Sequence, residues 1–295
     1  MNFIDRLDSY DEDHCWQYDI RLKNYIADCK ESGLSIDEVS NLSVSDFVFK
    51  NITDKPEQKI MIEFINRHEW LGNISQYTTH WFGAYYKDIL SGVILLNMPN
   101  SFSKSLGENT PQLERLISRG ACISWSPKNL ASSFLMWIMR WMVKNTDYRL
   151  FTAYSDPTAK ELGTIYQACN FYYMGNTFGG SAKYINPYTG KMVSDRFFRQ
   201  KTAYKKFAKE LNIEWKDDWN HPTGMRWENI PDEIELALRE YSKFKQNQST
   251  KIEVPHKHKH KYAYVLGKTK AETKQLRKIF LENNKVFVFP KIRGE

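Results

Sequence analysis

Apolar and polar positions along the chain switch between a helical and a strand period. From Cys15 to Cys29 the apolar residues Trp16, Ile20, Leu22, Tyr25 and Ile26 recur at helical spacing. Gly33 offers a stop, and Ser35 with Glu38 has the spacing of a capping box that opens a second, short helix. This pair around a glycine turn is read either as a helix-turn-helix or as a packing hairpin. Pro56 begins a further helix through Arg67, which ends at His68-Glu69-Trp70. Two strand-like runs, Thr79 to Tyr86 and Ile89 to Asn97, flank a Lys87-Asp88 turn and predict a hairpin. Glu114 to Ser124 predicts a strand, 129–144 a helix, Arg149 to Tyr154 a strand, Ala159 to Cys169 a helix and Phe171 to Met174 a strand.

After residue 176 the pattern loosens. Gly179-Gly180, Asn186 to Gly190 and a tryptophan-rich stretch (Trp215, Trp219, Trp227) predict irregular structure. Helices follow over 199–211 and 234–244, then a strand from Lys261 to Gly267 and a basic helix from Ala271 to Leu281. Strands alternating with helices predict an α+β (α/β) fold, a mixed central sheet flanked by helices. Three regions are expected: a helical N-terminal extension over 1–54, a catalytic core over 55–198 and a basic C-terminal region over 199–295.

Composition supports a packed core, with 41% hydrophobic and 15% aromatic residues in 295. The richest apolar run, Phe134 to Val143, is about ten residues long and is interrupted by Arg140, so a buried helix fits it better than a membrane span of roughly 20 residues. Met1-Asn-Phe-Ile-Asp-Arg6 lacks the features of a signal peptide. Cys15, Cys29, Cys122 and Cys169 form no CxxC pair, which fits a reducing cytoplasm and argues against a zinc ribbon. The net charge of +7 is uneven. From Arg199 onward 22 Lys and Arg stand against 13 Asp and Glu, while the first 198 residues carry 20 against 22. Such asymmetry fits either a polyanionic partner, nucleic acid first, or a solubilising surface.

Several side chains are candidates for chemistry. Ser126-Pro-Lys-Asn-Leu-Ala-Ser-Ser133 follows a strand and opens a helix. Ser126, Lys128, Asn129, Ser132 and Ser133 there would hold a phosphate, or simply cap the helix. Asp156 ends a strand before Pro157 and serves as a base, a metal ligand or a helix cap. Tyr166 lies on a short helix, as a proton donor or a core aromatic. Arg119 sits in an apolar strand and requires an anion such as Asp156 or a ligand. His68, taken alone, reads as a surface residue. The tract His256-Lys-His-Lys-His-Lys261 reads as a phosphate contact or a solvated run, since its lysines disfavour a cation.

The order of these blocks carries a resemblance. Leu150 to Asp156, then Gly163 to Gly175 with Tyr166 and Asn170-Phe171, resembles the acyl-CoA wall of GNAT acyltransferases. The series Ser118-Arg119, Trp125 to Ser133, Phe151 to Asp156 and Gly163 to Gly175 is similar to the phage Mom family of DNA-modification proteins, over roughly residues 60–180. That resemblance implies a GNAT-like core that converts adenine in DNA to its N6-carbamoylmethyl form and so protects bacteriophage DNA from host restriction. By position it implies catalytic roles for Arg119, Ser132, Asp156, Tyr166 and His68. It implies acetyl-CoA as cofactor and iron as a candidate metal, with His68 and Asp156 as its candidate ligands. Two departures stand out: the Gly-rich GNAT phosphate signature is absent, and no Tyr follows His68.

The expected partners are double-stranded DNA and acyl-CoA, in the host cytoplasm, with no membrane. Reaching N6 would require base flipping or major-groove attack, with an aromatic pocket to receive the base, for which Trp70, Tyr172 and Tyr173 are candidates. The alternatives are an N-acetyltransferase acting on a protein or small amine, and a non-enzymatic DNA-binding protein.

Overall fold

The computed structural model describes residues 15–72, 74–75, 77–99, 102–177, 183–190, 192–221, 224–252 and 258–292. His256 and Lys257 of the histidine tract lie outside them. The chain divides into two units, one formed by residues 1–178 with 257–295 and the other by 179–256.

In the first unit α1 (Trp16–Ser32) ends where Gly33 turns left-handed and its N–H closes on Cys29 and Lys30 carbonyls. The capping box then forms as expected: Ser35 accepts from the Glu38 N–H while Glu38 reaches back to Ser35. Yet α2 (Ile36–Ser40) is only one turn and a half, too short to cross a major groove as a recognition helix. β1 (Phe47–Asn51), unforeseen in the sequence, leads to α3 (Lys55–His68), which Asp54 caps by accepting from Glu57 N–H. β2 (Thr78–Tyr86) and β3 (Ile89–Asn97) form the expected hairpin, with Lys87 at φ +52° in its turn. β4 (Glu114–Cys122), α4 (Leu130–Asn145) and β5 (Leu150–Ser155) make a parallel crossover. α5 (Thr164–Ala168) is shorter than the periodicity suggests, because a 3-10 turn from Pro157 to Ala159 and an extended stretch precede it. β6 (Tyr172–Asn176) completes this run.

The second unit holds β7 (Lys183–Ile185), β8 (Met192–Ser194), α6 (Lys201–Glu210), β9 (Asn220–His221), β10 (Gly224–Met225), α7 (Asp232–Gln248) and β11 (Lys251–Ile252). β11, β7 and β8 pair in that order as a small sheet. Phe198, Tyr204, Phe207 and Leu238 are buried as its core, with Trp215 and Trp227 packed around them. The tryptophans read from sequence as an irregular loop therefore serve a separate core.

β12 (His260–Val265) and α8 (Lys270–Asn283) return to the first unit. Its sheet runs β1-β2-β3-β4-β5-β12-β6, antiparallel except where β4 meets β5. Residues 199–295 are thus not one basic appendage: β12 lies inside the central sheet, antiparallel to both β5 and β6. One sheet face packs on α4 through Phe134, Leu135, Ile138, Met139 and Met142, each fully buried and each contributing about 1.5–3 kcal/mol. The other packs on α1 and α3 through Tyr25, Met61 and Ile65. Alternation along β3 serves both, with Ile94 and Leu96 turned to the first and Val93 and Leu95 to the second.

β4 and β5 pair only over Glu114–Ile117 and Leu150–Ala153. Beyond Ile117, β4 stays with β3 across a register shift at Ser118, whose hydroxyl donates to Leu95 O (3.0 Å) and Asn97 Oδ1 (2.8 Å). β5 continues with β12 instead. The two strands part and leave a cleft between them.

Candidate active site

The parted strands wall a cavity of about 410 Å³. β4 contributes Ser118, Arg119 and Cys122, and β5 contributes Tyr154 and Ser155. The segment after β5 brings Asp156, Glu161 and Tyr166, α1 brings Tyr18 and Arg21, and the end of α3 brings Glu69 and Trp70. A second cavity of about 490 Å³ continues from it, sharing Tyr18, Arg21, Cys122, Ala131, Thr164 and Ile165, and ends at the first turn of α4.

Of the residues expected to be catalytic, Arg119, Asp156 and Tyr166 line the first cavity together. Arg119 is half-buried and faces an anion, Glu69 rather than Asp156: its Nε is 3.8 Å from Glu69 Oε1. Asp156 takes one of its anticipated roles, the helix cap, and gains a partner the sequence did not single out. Oδ1 accepts from Thr158 N–H (2.9 Å) as a cap, and Oδ2 meets Lys259 Nζ at 3.3 Å. Tyr166 packs its ring between Phe171 and Tyr262. Burial, and then the nearby charges of Glu161 and Glu69, push its phenol far above the usual range. It therefore carries its proton at neutral pH. Ser132 lies in the second cavity, its hydroxyl donating to Asn129 O (3.1 Å).

His68 departs from both expectations for it. It is buried, packed at a tilt against Phe64 and 3.6 Å from Asp28 Oδ2, and it lines neither cavity. The cause lies in the helix: position 68 of α3 points into the contact with α1, while 69 and 70 leave the helix toward the cleft. Burial lowers the His68 pKa. Tyr172 and Tyr173 depart likewise. Tyr172 stacks on Phe280, and Tyr173 is buried with its hydroxyl on Asn176 and His260. Only Trp70 of the three proposed base-stacking aromatics reaches the cleft, its Nε1–H donating to Glu161 Oε1 at 2.8 Å.

The sequence did not single out the two glutamates. Glu161 accepts from Trp70 and, through Oε2, from Asp156 N–H (3.0 Å). Glu69 accepts from Gly72 N–H (2.7 Å). Burial raises the pKa of both; the Arg119 charge opposes it at Glu69, and the two bonded N–H groups oppose it at Glu161. Cys122 lines both cavities, but burial pushes its thiol to about 11, so it is no thiolate at neutral pH.

At the helix end, Ser126, Lys128, Asn129 and Ser132 line the second cavity, and Ser133 does not. Asn129 takes a left-handed conformation (φ +69°) and caps with backbone alone. In the first turn of α4, Leu130 N–H donates to Pro127 O (3.3 Å) and Ser133 N–H to Asn129 O (3.0 Å), and helix geometry leaves the N–H groups of Ala131 and Ser132 for a ligand such as phosphate. Arg21 ties α1 to this loop, donating to Ser124 O at 2.8 Å. The donor set fits a phosphorylated cofactor. It does not fit iron: among the described residues no three His, Cys, Asp or Glu side chains gather, His68 is committed to packing and Asp156 to Lys259. The end of the histidine tract is also spoken for, with His260 buried on β12 and Lys259 on Asp156. Among the described residues no helix is long and apolar enough to cross a membrane.

No curated protein matches the chain. Among solved structures it is similar to the aminoglycoside acetyltransferase AAC(6')-Ib in complex with coenzyme A and kanamycin (12% identity, 54% of this chain and 98% of that one, TM-score 0.36). It is similar to a probable acetyltransferase from Staphylococcus epidermidis ATCC 12228 (12%, 50% and 98%, TM-score 0.34). FeeM, an N-acyl amino acid synthase from uncultured soil microbes, gives 14% identity over 44% of this chain and 80% of that one, with a TM-score of 0.31. Scores this low carry no weight, and the assignment rests on sequence. The model of the Mom protein family matches residues 47–283, from the first strand of the sheet to the last helix and across Arg119, Asp156 and Tyr166. The chain belongs to the Mom protein family.

Proposed function

We propose that the protein is a transferase that modifies the N6 amine of adenine in double-stranded DNA, in the carbamoylmethyl manner the family resemblance implies, and that it draws on an acyl-CoA. The bacteriophage setting and escape from host restriction belong to the same proposal. One observation carries it: the parting of β4 and β5 gathers Arg119, Asp156, Tyr166, Glu69 and Glu161 around a cleft that continues to the first turn of α4.

Lys128, Ser132 and the N–H groups of Ala131 and Ser132 would hold the cofactor's phosphates, and the thioester supplies an activated carbon when bound. In transfer of the acyl carbon, the N6–carbon bond forms, the carbon–sulfur bond of the thioester breaks, coenzyme A leaves as its thiolate, and N6 gives up one proton. Glu161, Glu69 and Asp156 are the carboxylates in reach of the cleft that could accept that proton. Each oxygen already bonded to an N–H keeps a lone pair free, and a raised pKa brings a carboxylate closer to neutral pH, where a general base is most effective. Arg119 sits beside Glu69 and stabilises negative charge in the cleft. Tyr166 holds a proton at Oη that it can yield to an anion formed beside it. Trp70, anchored on Glu161, offers a ring face for a flipped base.

The test is to express the chain in a bacterium, digest the host DNA to nucleosides and analyse them by mass spectrometry, beside an Asp156→Ala control. A new adenine nucleoside present with the wild type and lost in the control is expected. Unmodified DNA from cells holding folded wild-type protein would refute the reading.

A further inference from the structure

At the far end of the same unit, α4 and α8 wall a groove of about 1190 Å³. Seven of the fourteen residues around it are Lys or Arg, and one is acidic. Arg140 and Lys144 stand one turn apart on α4. Lys270, Lys274 and Lys278 repeat every four residues on α8, and all five are exposed. Between the two rows lie Val143, Leu266 and Leu281. Among the described residues, Lys278 alone of these seven pairs with a carboxylate there, Glu282 at 3.9 Å.

We infer that this groove binds the sugar–phosphate backbone of duplex DNA, at a site separate from the catalytic cleft. The inference rests on the proposed DNA substrate and deepens it. Steps of four residues place a cation roughly every 6 Å along α8, against a strand carrying a phosphate about every 3.4 Å of helix axis. Seven cations against one acid, Glu282 at the end of the α8 row, suit a uniform polyanion; a protein partner is normally registered by mixed charges. The apolar floor matches the deoxyribose faces between phosphates. The groove lies where β5 begins and the cleft where it ends. Six residues at about 3.3 Å each separate them by roughly 17 Å. The contact is to backbone, so it holds any sequence equally and carries no base information.

The experiment measures binding of a short fluorescein-labelled duplex by anisotropy across about 50–200 mM salt. It compares the full-length wild type with Lys144→Ala/Lys270→Ala/Lys274→Ala, and with a charge-matched control, Lys205→Ala/Lys209→Ala/Lys243→Ala, on exposed positions of the second unit. Each lost phosphate contact lowers the slope of log K against log salt by about 0.9, so the groove variant should lose roughly 2–3 in slope on any duplex sequence. The control should keep the wild-type slope, and melting temperatures should match. A groove variant with the wild-type slope, or a control that loses as much, overturns the groove. A wild type that leaves a new nucleoside but shows no salt-linked binding also overturns the groove alone. A wild type that neither modifies nor binds DNA removes the proposed function itself.

Discussion

Gly33 and Gly163 offer a controlled comparison, because both sit at φ +66° and their surroundings differ. A Cβ on Gly33 would meet nothing within 4 Å. On Gly163 it would lie 2.5 Å from Tyr262 Cε2, 2.8 Å from Cζ and 3.1 Å from Ser155 Oγ. Tyr262 cannot retreat: it is fully buried, its hydroxyl donates to Leu162 O, and its ring packs on Tyr166 and Tyr173. Left-handed backbone costs alanine about 1–2 kcal/mol at either position. Overpacking adds about 1–3 kcal/mol at Gly163 only. Gly33→Ala should therefore lose about 1–2 kcal/mol and Gly163→Ala about 2–5 kcal/mol. Urea denaturation of both variants beside the wild type measures the difference. Gly163 also opens α5, so its alanine variant should lower nucleoside yield even where it remains folded, by moving Tyr166. Equal stability losses for the two variants would refute the close contact between the α5 turn and β12.

Glu161→Gln should cut the modification rate by about 10²–10⁴, and in the wild type the acid limb of the rate should lie above the ordinary carboxylate range, because burial raises Glu161 and Glu69. In stability the sign follows from that raised value: the favourable contribution of Glu161 is complete below its unfolded pKa and is lost as pH rises through the folded one. Melting curves at acid and neutral pH should thus lie closer together in the Gln variant. His68→Ala should destabilise by about 1–3 kcal/mol and leave yield per folded molecule intact; a tenfold fall in that yield would return His68 to the chemistry. The lowered His68 pKa stabilises the fold above its unfolded value, and that stability fades as pH falls through the folded one, which melting between neutral and mildly acid pH reads in the wild type but not in the variant. Removing residues 199–295 deletes β12 and should abolish folding, so it cannot test DNA binding; a soluble product with native circular dichroism would contradict the sheet order.

Local chemistry was legible wherever it was self-contained. The Ser35–Glu38 box, the Lys87 turn and the apolar stripe of α4 each depend on residues a few positions apart, and each formed where expected. That Asp156 and Tyr166 share one cavity was legible because the order strand, carboxylate, helix, tyrosine survives as a pattern in the chain, and Arg119 because a cation in an apolar strand calls for an anion. Glu69 and Glu161 were not, since an isolated glutamate carries no spacing signal; what distinguishes them is burial against residues about 90 positions apart, as Trp70 and Glu161 are. The reverse holds for Tyr172 and Tyr173, whose aromatic character suits a base pocket and a core equally. Only the pairing of β6 with β12 places them in the core.

β12 accounts for most of what the sequence withheld, and it links fold to site. A strand in a sheet interior needs partners on both edges. β5 takes β4 on one side for four residues and β12 on the other for six, from Leu150 to Ser155. With its outer edge satisfied by β12, β5 can leave β4 after Ala153 without exposing both rows of backbone groups, and the cleft opens at that point. The same strand fixes the floor of α5 through Tyr262 and delivers Lys259 to Asp156 from the residue before it begins. Lys259 and β12 therefore set the opening of the cleft, the seat of Tyr166 and the charge beside Asp156, and α8, which follows them, supplies one wall of the cationic groove. An acidic first two-thirds and a basic last third are not a domain boundary in this protein. Its final stretch is threaded back through the central sheet, so the α8 cations that would hold DNA, beside Arg140 and Lys144 of α4, follow directly on the strand that shapes the site.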